Sequence, residues 1–173
     1  MIYRTLRSEF ENIEGFENSI NSMQGQSDDL TIYLSGEFLK YHWAFKFLDF
    51  INRYCGEVTI VAPADSNFAA AILFVTANSN KVVAPTSTLR FVKPFWIVSS
   101  GKSRAHRADN EKGEKQGFYT TAYVDGVLKQ ILTEEEYAVY ESGDFITLYY
   151  DCCKEIAALA EKLYYRPKGK SEC

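Results

Sequence analysis

The sequence of 173 residues is long enough for one domain with its own hydrophobic core. Hydrophobic residues make up 46% of the chain and aromatic residues 15%, which argues against a disordered protein. The formal net charge of -4 argues against a nucleic-acid-binding protein, because such proteins normally present a basic face.

The N-terminal half alternates helical patterns with short apolar runs. In chain order the pattern predicts a helix over 10–23, a strand at Leu30–Leu34, a helix over 39–54, a strand over 58–62 and a helix over 67–77. The segments KVVA, STLRFV and FWIVS predict three further strands over 81–84, 87–92 and 95–99. Strands that alternate with helices imply parallel strands joined by crossover connections.

The C-terminal half begins with a polar segment that we expect to form a loop over about 100–117. Thr133 followed by Glu136 is the pattern of a capping box, and it predicts a helix that ends near Gly143. The run FITLYY predicts a strand over 145–150, and an amphipathic pattern predicts a last helix over 152–166. We expect a flexible tail over 167–173 and a single domain over 1–173.

The sequence contains no pattern of a membrane or secreted protein. No segment approaches the ~20 apolar residues of a membrane span, and the acidic N-terminal sequence is unlike a signal peptide. The cysteines have no C-x-x-C spacing, so we expect no metal site; they are Cys55, Cys152, Cys153 and Cys173. We therefore expect reduced thiols in a cytoplasmic protein that contacts neither membrane nor nucleic acid.

The scarcity of histidine limits the chemistry that the chain can perform. A Ser-His-acid hydrolase needs an imidazole to accept the serine proton, and only His42 and His106 are present. His42 falls on the polar side of the predicted helix over 39–54, and His106 falls in the charged loop. Neither forms a metal site or an obvious general base, and without a Gly-rich phosphate loop we expect no cofactor.

Ser66 follows a predicted strand and precedes a predicted helix. Backbone N–H groups at a helix N-terminus favour a developing oxyanion, which is the setting of a nucleophile. The same position suits an ordinary N-capping Ser or Asp, and the local sequence PADSNFA lacks the G-x-S-x-G pattern. Gly36 lies in a similar turn after a predicted strand. Its N–H could donate to an oxyanion, or the glycine could be present simply because the turn is tight.

Three successive segments resemble the ClpP/crotonase superfamily, and the proteolytic subunit of the Clp protease in particular. The segments are LTIYLSGEFLKYHWAFKFLDFI, VTIVAPADSNFAAAILFVTAN and NKVVAPTSTLRFVKP. In that family they would carry the oxyanion turn, the nucleophile and the catalytic histidine. The resemblance implies an α/β fold, namely a ClpP/crotonase-like spiral of repeated βα units, and self-assembly into a ring.

The residues at the family's chemical positions do not match the family's chemistry. Without gaps, Asn67 occupies the nucleophile position, Val92 the histidine position and Gly36 the oxyanion turn. A gap of one residue would restore Ser66 as the nucleophile, although Val92 would still supply no base. The family acid is Asp144 in one register and has no match in a second register, which we slightly prefer.

The resemblance and the lost chemistry together predict a proteolytically inactive ClpP-like subunit. It would act as an oligomeric structural or regulatory protein, with a protein client or an active protease relative as its partner. One alternative is an active serine endopeptidase in which Ser66 attacks and His106 or Lys93 is the base. A second alternative is a crotonase-like acyl-CoA enzyme or binder, so the resemblance leaves enzymatic activity undecided.

Overall fold

A computed structural model describes residues 2–6, 29–34, 41–62, 64, 68–93 and 122–167, with only the backbone described for 2–6 and 41–43. The strands are β1 Ile2–Leu6, β2 Leu30–Leu34, β3 Val58–Val61, β4 Asn80–Val82, β5 Leu89–Phe91 and β6 Ile146–Leu148. The helices are α1 Tyr41–Arg53, α2 Phe68–Thr76, α3 over 122–131, α4 Glu134–Ser142 and α5 Tyr150–Tyr164. The predicted helix over 10–23, the strand over 95–99 and the loop over 100–117 lie outside the described residues, as does the tail predicted over 167–173 apart from Pro167.

Four strands form a parallel sheet in the order β1-β2-β3-β4. Leu30 of β2 pairs with Val58 of β3, and Thr59 of β3 pairs with Asn80 of β4. The predicted parallel strands joined by crossover helices are therefore confirmed from β2 to β4, where α1 and α2 are the connecting helices, whereas the spiral of repeated units stays a prediction. β5 and β6 form a separate two-stranded sheet.

The chain divides into two compact units. The first, which we call the sheet unit, consists of Met1–Phe91 and Thr147–Cys173, and the second, the helical unit, consists of Val92–Ile146. The prediction of one domain over 1–173 stays a prediction.

The core of the sheet unit follows from alternation along the strands. Leu30, Ile32 and Leu34 of β2 are buried, because successive side chains of a strand point to opposite faces. Within and directly after α1 the buried residues recur at helical spacing; they are Ala44, Phe47, Phe50, Ile51 and Tyr54. α2 is buried from Ala69 to Thr76 and contacts α1, β5 and α5, so it is a core helix.

The face of the sheet opposite to the buried side chains of Leu30, Ile32 and Leu34 carries a row of apolar residues. Tyr33 pairs with Val61, and Val61 pairs with Val82, so the three side chains follow one another across adjacent strands. Tyr33 is 42% exposed and Val82 is 45% exposed. Parallel sheets are normally covered on both faces, so exposure of this row is unusual.

The residues directly after α5 are hydrogen-bonded to residues that precede β3 and β4. Tyr165 Oη donates to Glu57 Oε2 at 2.6 Å, and the backbone N–H of Arg166 donates to Asn78 Oδ1 at 2.7 Å. The hydrogen bond with Glu57, together with burial, raises the pKa of Tyr165. Glu161 accepts a hydrogen bond from the backbone N–H of Lys81, so its carboxylate covers part of the outer edge of β4.

The helical unit contains α3 and α4. α3 was not predicted, although its buried residues have helical spacing; they are Val124, Val127, Leu128 and Ile131. In α4 the predicted capping box is confirmed, since Glu136 N–H donates to Thr133 Oγ1 and Thr133 N–H donates to the Glu136 carboxylate. The predicted end near Gly143 is also confirmed, because Gly143 has a φ of 91° and serves as the C-cap.

The last predicted strand and the last predicted helix differ from the structure where they meet. The strand predicted over 145–150 is shorter, because α5 already begins at Tyr150.

The prediction of reduced thiols is wrong for Cys55, which is disulfide-bonded, and holds for Cys152 and Cys153, which are free. Among the described helices, none combines the length and the apolar character that crossing a membrane requires.

Candidate functional site

The turn between β3 and α2 is where the resemblance locates the nucleophile. Ala62, directly after β3, is buried and continues the pairing with β4 by donating its N–H to the carbonyl of Val82 at 2.9 Å. Ala64 is exposed, and α2 begins at Phe68. The predicted site residues Ser66, Asn67 and Gly36 lie outside the described residues and stay predictions, as does His106.

Two hydroxyl groups connect this turn to the segment that leads into β5. The buried Ser87 donates its Oγ–H to the carbonyl of Ala62 at 3.1 Å and accepts the N–H of Ala84 at 3.0 Å. Thr88 donates its Oγ1–H to the carbonyl of Ala64 at 3.0 Å. Because both bonds reach the turn after β3, they hold the start of β5 beside the start of α2.

Cys153 lies behind Ser87 in the sheet unit. Its Sγ is 3.2 Å from the carbonyl of Leu148 and 3.8 Å from the carbonyl of Ser87, and the residue is fully buried. Burial raises the pKa of the Cys153 thiol. A buried thiol that resists ionisation is a poor nucleophile. We therefore interpret Cys153 as a packing residue of this region and not as a catalytic nucleophile.

Val92 follows β5 directly and is 9% exposed. Its aliphatic side chain can neither accept nor donate a proton. Asp144 is exposed, and one of its carboxylate oxygens lies 3.0 Å from Ser142 Oγ. The role of Asp144 as the acid therefore stays a prediction, as does the equivalence of Val92 with the family histidine.

Lys93, one of the two bases considered for an active enzyme, lies against an aromatic ring of its own unit. Its Nζ is 5.8 Å from the centre of the Tyr140 ring. Tyr140 is fully buried, and its Oη donates to Asp125 Oδ1 at 2.6 Å, which fixes the ring. The cation–π contact thus gives the Lys93 ammonium a structural partner.

The sequence did not identify Ser87 or Cys153 as residues of this region. Ser87 appears only as the first residue of an apolar segment, and its acceptor at Ala62 lies 25 residues away. No local sequence signal indicates a buried hydroxyl whose hydrogen-bond partner lies this far away in the sequence.

Across the described part of the chain, no three His, Cys, Asp or Glu side chains are grouped as a metal ion would require.

Comparisons with known proteins agree with this architecture at the level of the fold. No protein-family model matches the chain, and no curated protein matches it by sequence. A solved structure of a ClpP1 point mutant from Listeria monocytogenes superposes with a TM-score of 0.56 at 16% identity, and the match covers 90% of this chain and 85% of that chain. The chain therefore has an α/β, ClpP-like fold; an identity this low carries over neither catalytic residues nor activity.

Proposed function

We propose that the protein is a non-proteolytic subunit with a ClpP-like fold that assembles with copies of itself into a closed ring. Its role is structural or regulatory, and its partner is a protein client or an active protease relative. The observation that carries the proposal is the aliphatic side chain of Val92, which follows β5 at the position where the family resemblance expects the catalytic base. β5 itself begins beside the turn of the expected nucleophile.

The chemistry of the remaining groups supports an inactive site. Removal of both the nucleophile and the base from a serine hydrolase leaves at best roughly 10³- to 10⁴-fold acceleration over water, from the oxyanion and binding interactions. Lys93, the base adjacent to Val92, contacts the Tyr140 ring. No described contact favours the active-peptidase alternative or the acyl-CoA alternative.

The apolar row of Tyr33, Val61 and Val82, in which Tyr33 and Val82 are exposed and Val61 is half-buried, supports a role in protein contacts. The row crosses three paired strands, and such a continuous apolar surface is typical of interaction sites. The ring and the partner both require surfaces of this kind.

A serine-reactive fluorophosphonate probe tests the absence of catalysis. We expect no stoichiometric labelling of the full chain under conditions that label an active serine peptidase completely. Ser66→Ala is the matched control, since labelling that persists in this variant does not arise from Ser66. Stoichiometric labelling of one serine that disappears in Ser66→Ala would overturn the proposal in favour of the active endopeptidase.

Native mass spectrometry tests the assembly separately. A closed ring of several chains is the expected result. A monomer at micromolar concentration would contradict the ring, and only the assignment of the fold would then stand. A thermal-shift titration with acyl-CoA esters addresses the acyl-CoA alternative, for which we expect no change in Tm.

A further inference from the structure

Cys55 lies in the turn between α1 and β3, within the sheet unit. Its sulfur belongs to a disulfide bond, although the residue itself is exposed. Exposed disulfides are reduced more easily than shielded ones, because an attacking thiolate can reach the sulfur, and they are often regulatory. The position of Cys55 therefore suits a disulfide that opens and closes.

The cysteine content of the chain identifies the partner of Cys55. The sequence contains four cysteines, and both Cys152 and Cys153 are free thiols. The cysteine that remains is Cys173, which belongs to the same compact unit as Cys55. A disulfide of Cys55 within this chain is therefore a bond to Cys173.

The described contacts bring the end of α5 to the turn that carries Cys55. Tyr165 directly follows α5, and its Oη donates to Glu57 Oε2 at 2.6 Å. The next residue, Arg166, donates its backbone N–H to Asn78 Oδ1 at 2.7 Å. Since Glu57 is only two residues after Cys55, the chain leaves α5 beside the disulfide-bonded turn.

The length of the tail fits a bond at this turn. Cys173 follows Tyr165 by eight residues, and an extended chain of that length spans roughly 26–29 Å. The tail can therefore bring the two Cα atoms to the separation of about 4–7 Å that a disulfide requires. Short flexible linkers also keep their ends at effective concentrations in the millimolar range, so the two thiols should react with each other in preference to thiols of other molecules.

We propose that Cys55 and Cys173 form a redox clasp, a reversible disulfide that fastens the tail to the turn after α1 and opens by exchange with small thiols such as glutathione. The thiolate of one glutathione attacks a sulfur of the disulfide, and the S–S electron pair leaves on the other cysteine sulfur, which takes up a proton. The thiolate of a second glutathione attacks the mixed disulfide and releases the other cysteine. Two glutathiones are thereby oxidised to glutathione disulfide, and the reverse reaction closes the clasp.

The redox state of the surroundings would then decide how the C-terminal segment is held. In the closed form the tail is bound covalently at the turn. In the open form the hydrogen bonds of Tyr165 and Arg166 still hold the end of α5, so reduction releases the tail and not the helix. This function is separate from the proposed loss of catalysis and from the ring.

Peptide mapping of the full chain, purified without reductant, tests the pairing. Free thiols are alkylated with N-ethylmaleimide in denaturant, and the chain is digested with trypsin. We expect residues 54–81 to be linked to residues 171–173, and residues 130–154, which contain Cys152 and Cys153, to carry two alkyl groups. Linkage of 54–81 to 130–154 or to a second copy of 54–81, or alkylation of Cys55, would overturn the proposal.

The variant Cys173→Ser tests the same pairing in the folded chain. Without a reductant, iodoacetamide should alkylate Cys55 in this variant, because the exposed sulfur has lost its partner. The matched control is Cys152→Ser, which removes an exposed free thiol and should leave Cys55 protected. Protection of Cys55 that persists in Cys173→Ser would contradict Cys173 as the partner.

Equilibration of the folded wild type in glutathione buffers tests the reversibility. We expect the linked peptide of 54–81 and 171–173 to be lost in millimolar reduced glutathione and to return after transfer to glutathione disulfide. A linked peptide that persists in millimolar reduced glutathione, or that does not return, would show that the disulfide is not a reversible clasp.

Discussion

The hydroxyl of Ser87 shows how one small side chain can fix a turn that is distant in the sequence. The group is buried, so both its donor and its acceptor capacity must be satisfied within the protein. It donates to the carbonyl of Ala62, which follows β3, and accepts from the N–H of Ala84, which precedes β5. The position of β5 relative to the expected nucleophile turn therefore depends on this residue.

Replacement of Ser87 by alanine should destabilise the chain by about 1–3 kcal/mol, because it leaves the buried carbonyl of Ala62 without its side-chain donor. Urea denaturation followed by circular dichroism would measure the free energy of unfolding. Ser142→Ala is the matched control, since it removes an exposed hydroxyl and should cost less than about 0.5 kcal/mol. Equal losses in the two variants would show that the bond to Ala62 contributes nothing.

The amine of Lys81 should make stability depend on pH. Burial lowers the pKa of Lys81 from an ordinary value of 10.5 to about 8 in the folded chain, so between these values the unfolded chain binds more protons. Stability contributed by this group therefore rises as the pH increases across that window. Between pH 7 and 9.5 the wild type should gain on the order of 2 kcal/mol relative to Lys81→Met, a difference that chemical denaturation at each pH would measure.

The exposed Lys162 provides the comparison for that series. Lys162→Met is the matched control, because it removes an exposed lysine of the same unit. A difference between the wild type and Lys81→Met that changes with pH no more than the difference for Lys162→Met would contradict the influence of burial on Lys81. Measurements above pH 9.5 are to be avoided, since tyrosines begin to ionise there.

At the scale of helices and strands, local signals explain what the sequence could predict. The capping box at Thr133 and Glu136 involves residues three positions apart, so the start of α4 could be found from the sequence alone. β2 was predicted at its exact bounds, because Leu30–Leu34 is a continuous run of β-forming residues. α3 was missed although Val124, Val127 and Leu128 have helical spacing, and Gly126 within it weakens the pattern.

Two glycines of the helical unit should respond oppositely to replacement by alanine. Gly126 lies inside α3, and a Cβ added there would meet nothing within 4 Å. Gly126→Ala should therefore stabilise the chain by about 0.5–1 kcal/mol, because alanine lowers the entropy of the unfolded state. Gly143 has a φ of 91° at the end of α4, so Gly143→Ala should cost about 1 kcal/mol.

Thermal unfolding of the two glycine variants beside the wild type provides the measurement. A higher Tm for Gly126→Ala and a lower Tm for Gly143→Ala is the expected pattern. The same direction of change in both variants would contradict the assignment of one glycine to a helix interior and the other to a left-handed C-cap.

At the scale of the whole molecule, the sequence predicted the order of the strands and helices better than it predicted which residues contact each other. Alternating strands and helices indicated parallel strands, and the sheet order β1-β2-β3-β4 agrees with that. β1 was missed because its sequence, IYRTL, includes Arg4 and Thr5 and lacks a continuous apolar run. Contacts such as that of Tyr165 with Glu57 join residues 108 positions apart, and local patterns contain no information about them.

The disulfide of Cys55 indicates the redox conditions under which the whole molecule folds. Disulfides persist in oxidising compartments and are rare in the cytoplasm, so this bond weighs against the predicted cytoplasmic localisation. In the unreduced native chain, iodoacetamide should alkylate the exposed, free Cys152 and leave Cys55 unmodified. Reduction before alkylation should make both residues reactive, and peptide mass spectrometry would distinguish them. Alkylation of Cys55 as readily as Cys152 without a reductant would contradict the disulfide and restore the expectation of a chain with reduced thiols.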